Sequence, residues 1–206
     1  VLSTKEILFK YVFNNKMLWF VAIANAFVYM VRYGALDWAP AILTDKGIDL
    51  KSAGWAYFAF EYAAIPGTII CGWISDKVFR GMRALPTIIF MALVAIFIVI
   101  YWQAGDNMTL NLIGLVGIGF FIYGPVMLIG VQALDLAPKN AAGTAAGLTG
   151  FFGYFFGTAV LANTLMGYVS EVSMDATFIM LIAACGLSIL FMAFTYGEER
   201  NLISKK

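Results

Sequence analysis

Residues 85–103 read LPTIIFMALVAIFIVIYWQ, a run without a charged side chain. About twenty apolar residues rising 1.5 Å each cross the hydrocarbon core of a bilayer, so the run reads as one transmembrane helix. Working outward from it, similar runs occur at 17–43, 53–75, 109–133, 141–168 and 174–196. Of 206 residues, 62% are hydrophobic and only 12% charged, a composition outside the range of soluble globular domains. The expected fold is an all-α membrane protein, a six-transmembrane-helix bundle in contact with lipid.

The ends and connections hold the charge. Residues 1–16 place Ile7, Leu8, Tyr11 and Phe13 among lysines, a weakly amphipathic lead-in expected along the membrane surface. It has no apolar core and no small-residue cleavage site, so it is not a signal peptide. The chain starts with Val1, which suggests that it is cut from a longer protein. The lead-in, the second and fourth connections and the 197–206 tail carry ten of the thirteen lysines and arginines, Lys205 and Lys206 among them. By the positive-inside rule both ends of the segment are expected to be cytoplasmic. A net charge of +1 gives no field for nucleic acid. There is no histidine, and Cys71 and Cys185 lie inside apolar runs without metal-type spacing. No metal, cofactor or disulfide is therefore expected, and an enzyme, which would need a nucleophile and base or metal ligands, is disfavoured.

Charges inside spans cost at least about 2.5 kcal/mol each on insertion scales, so they mark candidate sites. Arg32 lies roughly 22 Å along the first span, near mid-depth. Asp37 and Glu61 lie closer to the outer side, where either carboxylate could neutralise Arg32 as an ion pair. Alternatively the planar guanidinium fork binds oxyanions two oxygens at a time. Tyr29, Tyr123 and Tyr154 sit at mid-helix, away from any interfacial belt, and can donate to phosphate oxygens or serve as interhelical hydrogen-bonding groups. Tyr29 shares a helical face with Arg32. The facing of Tyr33, Tyr57 and Tyr62 is ambiguous. In the fifth span Gly143, Gly147, Gly150, Gly153 and Gly157 form a one-faced stripe suited to close helix packing. Pro66-Gly67 and Gly124-Pro125 interrupt the helical hydrogen-bond ladder and favour kinks.

The connection after the second span runs Gly72-Trp73-Ile74-Ser75-Asp76-Lys77-Val78-Phe79-Arg80-Gly81-Met82-Arg83. It resembles the G-x-x-x-D-[RK]-x-G-[RK]-[RK] loop of the major facilitator superfamily, longer by about a residue after Lys77. An Asp among basic residues can latch a cytoplasmic loop, or the loop is simply a solvated positive-inside connection. The stretches VYMVRYGALDW at 28–38, EYAAIPGT at 61–68, YGPVMLIG at 123–130 and APKNAAGTAAG at 137–147 resemble the organophosphate:phosphate antiporter family, specifically the C-terminal half of bacterial glycerol-3-phosphate transporters. The resemblance runs from about residue 5 to residue 200.

That resemblance implies half of a twelve-helix transporter of the bacterial inner membrane, with an N-terminal six-helix half as partner and glycerol-3-phosphate and inorganic phosphate as substrates. It makes Arg32 the phosphate-binding arginine, with Tyr29, Tyr123 and Tyr154 around the pore and Asp37 and Glu61 as acidic neighbours. The partner half would supply a second arginine and a histidine. A related branch that carries hexose phosphates has an Asp and a Lys where this chain has Ala146 and Thr149, which favours the smaller substrate. The expected mechanism is alternating access, in which bound anion competes with Asp37 or Glu61 for Arg32. An anion-channel-like six-helix assembly is the other class left open.

Overall fold

In a computed structural model, which describes residues 3–204, the chain is helical almost throughout. Val1, Leu2, Lys205 and Lys206 lie outside the described residues, the last two belonging to the basic tail counted above. Six helices are long and apolar enough to cross a membrane: α1 Lys16–Asp37, α2 Leu50–Val78, α3 Ala84–Gln103, α4 Met108–Asp135, α5 Lys139–Val172 and α6 Met174–Ile203. The first run is not one helix to residue 43. Asp37 ends α1, and a short helix, Ala39–Asp45, starts after Trp38 with proline in its first turn, where a proline's missing N–H costs no hydrogen bond.

Side-chain caps satisfy orphan N–H groups at several starts. Asn15 accepts from the Met17 and Leu18 amides at α1, Asp49 from Ser52 at α2 and Asn107 from Leu110 at α4. The Asn15 amide also donates to the Leu136 carbonyl at 3.1 Å, tying the start of α1 to the end of α4.

Packing follows a repeat of three helices. α1 packs on α4, α5 and α6, whereas α4 packs on α1, α2 and α3, and α3 meets α6. Exchanging α1, α2, α3 with α4, α5, α6 maps the main contacts onto one another, as in the paired three-helix repeats common in secondary transporters, although α5 also touches α4 and α6 where α2 makes no comparable contact with α1 or α3. α1 and α4 are the most buried helices, and α2 and α5 the most exposed. Close approach of α2 to α4 depends on Gly67 and Gly119. A Cβ on Gly67 would lie 1.8 Å from the Phe120 carbonyl oxygen, and one on Gly119 would lie 2.3 Å from that of Phe60.

The glycine stripe of α5 does not act as one packing face. Gly153 and Gly157 pack against Asn25, Ala26 and Tyr29 of α1, while Gly143, Gly147 and Gly150 face open space. From Phe152 to Leu165 the helix widens to π-type turns, which takes later residues off the 3.6-residue register that made the stripe continuous. Cys71 and Cys185 are buried free thiols, Cys71 lying against Gly124.

At the end of the bundle near Trp38, Lys46 binds two other elements. Its ammonium donates to the Tyr101 carbonyl near the C-terminus of α3 and to Asn111 Oδ1 of α4 at 2.8 Å, and lies 4.4 Å from the Tyr101 ring centroid. The helix C-terminus favours a cation there. Burial nevertheless lowers the Lys46 pKa to about 8.

Candidate functional site

Arg32 of α1 reaches toward α4, the helix it corresponds to in the three-helix repeat. Nη2 donates to the Tyr123 hydroxyl at 2.9 Å, and Nη1 donates to the Tyr33 hydroxyl at 2.8 Å. The guanidinium carbon is 4.4 Å from the ring centroid of each tyrosine. Two aromatic faces therefore enclose the cation, an arrangement favoured by their negative π faces. Nε is buried without a hydrogen-bond partner among the described residues. Two of five guanidinium N–H donors are engaged, so the group retains capacity for oxyanion oxygens.

Glu61 enters through Tyr123, not by direct contact. The Tyr123 hydroxyl donates to Glu61 Oε1 at 2.6 Å while accepting from Arg32. Among the described residues Arg32 makes no ion pair within 4.0 Å, so of the two readings left open the direct pairing with Asp37 or Glu61 is not made, and Glu61 is reached through a neutral phenol. Asp37 is exposed at the last residue of α1. Five residues beyond Arg32 amounts to about 140° of helical rotation, which turns the two side chains apart.

Tyr29 and Tyr154 form an adjoining aromatic group with Tyr33. The Tyr29 ring lies 4.9 Å from that of Tyr154 and 5.9 Å from that of Tyr33, and Tyr33 and Tyr154 are 6.4 Å apart. Tyr29 is buried, whereas Tyr154 is exposed. Glycine at 153 and 157 allows α5 to approach closely enough for this contact. Thr149 is buried on the same helix, its hydroxyl donating to the Ala146 carbonyl and its own carbonyl accepting from Asn25. Tyr33 is the member that sequence reasoning left ambiguous. A residue adjacent to Arg32 points about 100° away on an ideal helix, and only the bend of the long Arg32 side chain brings the two together.

The loop motif gathers at the other end of the bundle. Arg83 Nη1 lies 2.6 Å from Asp76 Oδ1, and Arg83 Nε lies 3.6 Å from Asp135 Oδ2 at the end of α4. Ser75 accepts from Arg83 and donates to the Met82 carbonyl, both at 2.8 Å. Gly72 packs near Met127 of α4. Lys77 and Arg80 enter no ion pair among the described residues. The helix widens to π-type turns at Ile74–Val78, and the chain then turns at Arg80 and Gly81, both with positive φ.

Two further groups there carried no sequence signal: Asp135, and Glu199 of α6. The Glu199 carboxylate accepts from the Arg83 and Ala84 amides at 2.6 and 2.9 Å, capping α3 from a helix distant in sequence. Its place within the charged 197–206 tail made it resemble any other terminal charge.

Comparison with known proteins agrees with this architecture. The chain is 57% identical over 204 residues to a protein of Bacillus subtilis named glycerol-3-phosphate transporter, covering 97% of this chain and 46% of the relative. A Haemophilus influenzae protein of the same name is 44% identical over 96% of the chain and 45% of its own length. A Chlamydia pneumoniae protein named probable hexose phosphate transport protein is 37% identical over 99% of the chain and 46% of its own length. The chain thus spans about half the length of these curated relatives. Residues 2–162 match the Major Facilitator Superfamily, and the chain is a multi-pass membrane protein belonging to that family of transporters.

Proposed function

We propose that this chain is the C-terminal six-helix half of a transporter that exchanges glycerol-3-phosphate for inorganic phosphate across the bacterial inner membrane by alternating access. The observation that carries the reading is Arg32, held between Tyr33 and Tyr123 with guanidinium donors to spare. Phosphate oxygens suit such a fork. The names of the two relatives at 57% and 44% identity support the choice of glycerol-3-phosphate.

The six-helix domain comprises residues 17–196, with the lead-in before it and the tail after it. Both ends are assigned to the cytoplasm from the distribution of lysine and arginine. Asp76 and Arg83 then latch a cytoplasmic connection, with Gly72, Lys77 and Arg80 in the same motif. The second six-helix half covers exposed apolar faces of α2 and α5, including Trp55, Tyr62, Phe151 and Phe155, and supplies further phosphate ligands.

Anion binding acts on the hydroxyl relay. An oxyanion at Arg32 competes for Nη2, and the Tyr123 O–H turns from Glu61 toward the new acceptor. Glu61 then loses its donor and can pair elsewhere, so the bound and empty sites favour different arrangements of the two halves. Tyr29 and Tyr154 wall the site, and Asp37 contributes negative charge at its rim.

A hexose phosphate is the second reading, favoured by the relative of that name. Against it, Ala146 carries no polar side-chain group and Thr149 is buried, its hydroxyl spent on a backbone carbonyl. The test uses the full-length protein in proteoliposomes loaded with phosphate. Uptake of labelled glycerol-3-phosphate that requires internal phosphate and is lost in folded Arg32→Ala is the expected result. Preference for hexose phosphate would change the substrate, and uptake independent of internal phosphate would replace exchange with uniport or channel conduction.

A further inference from the structure

We infer that Tyr33 is a positioning residue for Arg32, a counter-tether that keeps the guanidinium from collapsing onto Glu61; the inference rests on the oxyanion role proposed above. Arg32 has one hydroxyl partner on each terminal nitrogen, Tyr33 on Nη1 and Tyr123 on Nη2. The two rings stand at equal distance from its guanidinium carbon, 4.4 Å. The two tethers differ in what lies behind them. Tyr123 is bonded onward to the Glu61 carboxylate, which draws the cation toward α2. Behind Tyr33, the described residues place the Tyr29 and Tyr154 rings and no carboxylate hydrogen-bonded to its hydroxyl.

Without the Tyr33 hydroxyl only the ring's contact with the guanidinium opposes that pull, and an arginine near a carboxylate in a low-dielectric interior tends to close into a direct bidentate pair. The balanced position also selects which donors meet an anion. Nε carries a single N–H and is buried, and Nη1 and Nη2 each have two N–H groups and spend one on a tyrosine. An arriving oxyanion therefore meets the two terminal nitrogens.

The experiment measures equilibrium binding of labelled inorganic phosphate to the purified full-length protein, as wild type, Tyr33→Phe, Glu61→Gln and the double variant. Tyr33→Phe keeps the ring and loses the hydroxyl. It is expected to weaken phosphate binding about tenfold, the scale of one hydrogen bond to a charged group. Adding Glu61→Gln should restore most of that loss, since the competing anion is gone. The rate at which phenylglyoxal modifies Arg32, read by mass spectrometry in the absence of phosphate, should fall in Tyr33→Phe and return in the double variant. Arg80 and Arg200 should keep their wild-type rates, which controls for general unfolding. Unchanged binding in Tyr33→Phe, or a loss that Glu61→Gln does not repair, would overturn the counter-tether. Wild-type protein that binds no phosphate would overturn the proposed function instead, and the Arg32 modification rates alone would then decide whether Tyr33 holds the guanidinium.

Discussion

The Tyr123 hydroxyl donates to Glu61 Oε1 across 2.6 Å, joining α4 to α2 at the point where α4 also meets Arg32. A neutral phenol between a cation and an anion holds both without direct contact. It can also turn its single proton toward only one acceptor at a time. Arg32 accepts no proton, so Glu61 takes the phenol's only donor while Arg32 occupies its oxygen.

The first prediction concerns that link. Tyr123→Phe keeps the ring packed on Arg32 and Phe60 but removes the relay. In the full-length protein, Glu61→Gln should change phosphate affinity in the wild-type background and have little further effect in Tyr123→Phe. A double-mutant cycle measures this, with a coupling of about 1 kcal/mol expected for groups in one hydrogen-bond network. Additive effects would mean that Tyr123 does not transmit the state of Glu61.

Arg32→Lys should abolish most exchange despite the retained charge. An ammonium cannot replace the planar fork, nor donate to Tyr33 and Tyr123 in the same plane. The check is counterflow in proteoliposomes, with thermal stability followed in parallel; near-normal exchange would refute the site.

Glycine substitutions should divide by location. Gly67→Ala places a methyl against the Phe120 carbonyl, whereas Gly130→Ala meets nothing within 4 Å. Overpacking of this kind typically costs 1–3 kcal/mol. Gly67→Ala should therefore lower the melting temperature of the full-length protein in detergent, and Gly130→Ala should leave it unchanged.

Lys46 gives a pH dependence. Its folded-state pKa is lowered to about 8 by burial, from the usual 10.5. Between those values the unfolded chain binds more protons at this site than the folded one, so its contribution to stability rises with pH through that window and is flat on either side. Lys46→Met should abolish this rise between pH 8 and 10. Met leaves the Tyr101 carbonyl and Asn111 without this donor but also removes the cost of burying the charge, so the variant should lose more stability relative to wild type at pH 10 than at pH 7. Thermal melts of both proteins across that range check both effects.

The candidate site was legible where polar chemistry stood out against an apolar background. Arg32, Glu61, Tyr29, Tyr123 and Tyr154 could be singled out because a charge or mid-span phenol is costly in hydrocarbon unless it has a partner. Which partner each has was not legible. Arg32 and Tyr123 are separated by 91 residues and Tyr123 and Glu61 by 62. Tyr33 was hidden for a different reason, since helical geometry alone argues against its contact with the neighbouring arginine.

The sequence by itself determined the class, the number of membrane-crossing helices and the family resemblance, because about twenty apolar residues per helix, with backbone hydrogen bonds made within the segment, are properties of each segment alone. Tertiary structure decided which faces of those helices meet. In a soluble helix an apolar stripe reveals the buried side, but lipid and protein interior are both apolar, so sequence patterning carries little of that information. Facing is set instead by close backbone approach at Gly67 and Gly119 and by polar links such as Asn25 to Thr149 and Gln132 to Thr195. These join residues whose separation in the chain says nothing of their contact. Only once α1, α2 and α4 are packed does a relay from Arg32 through Tyr123 to Glu61 exist.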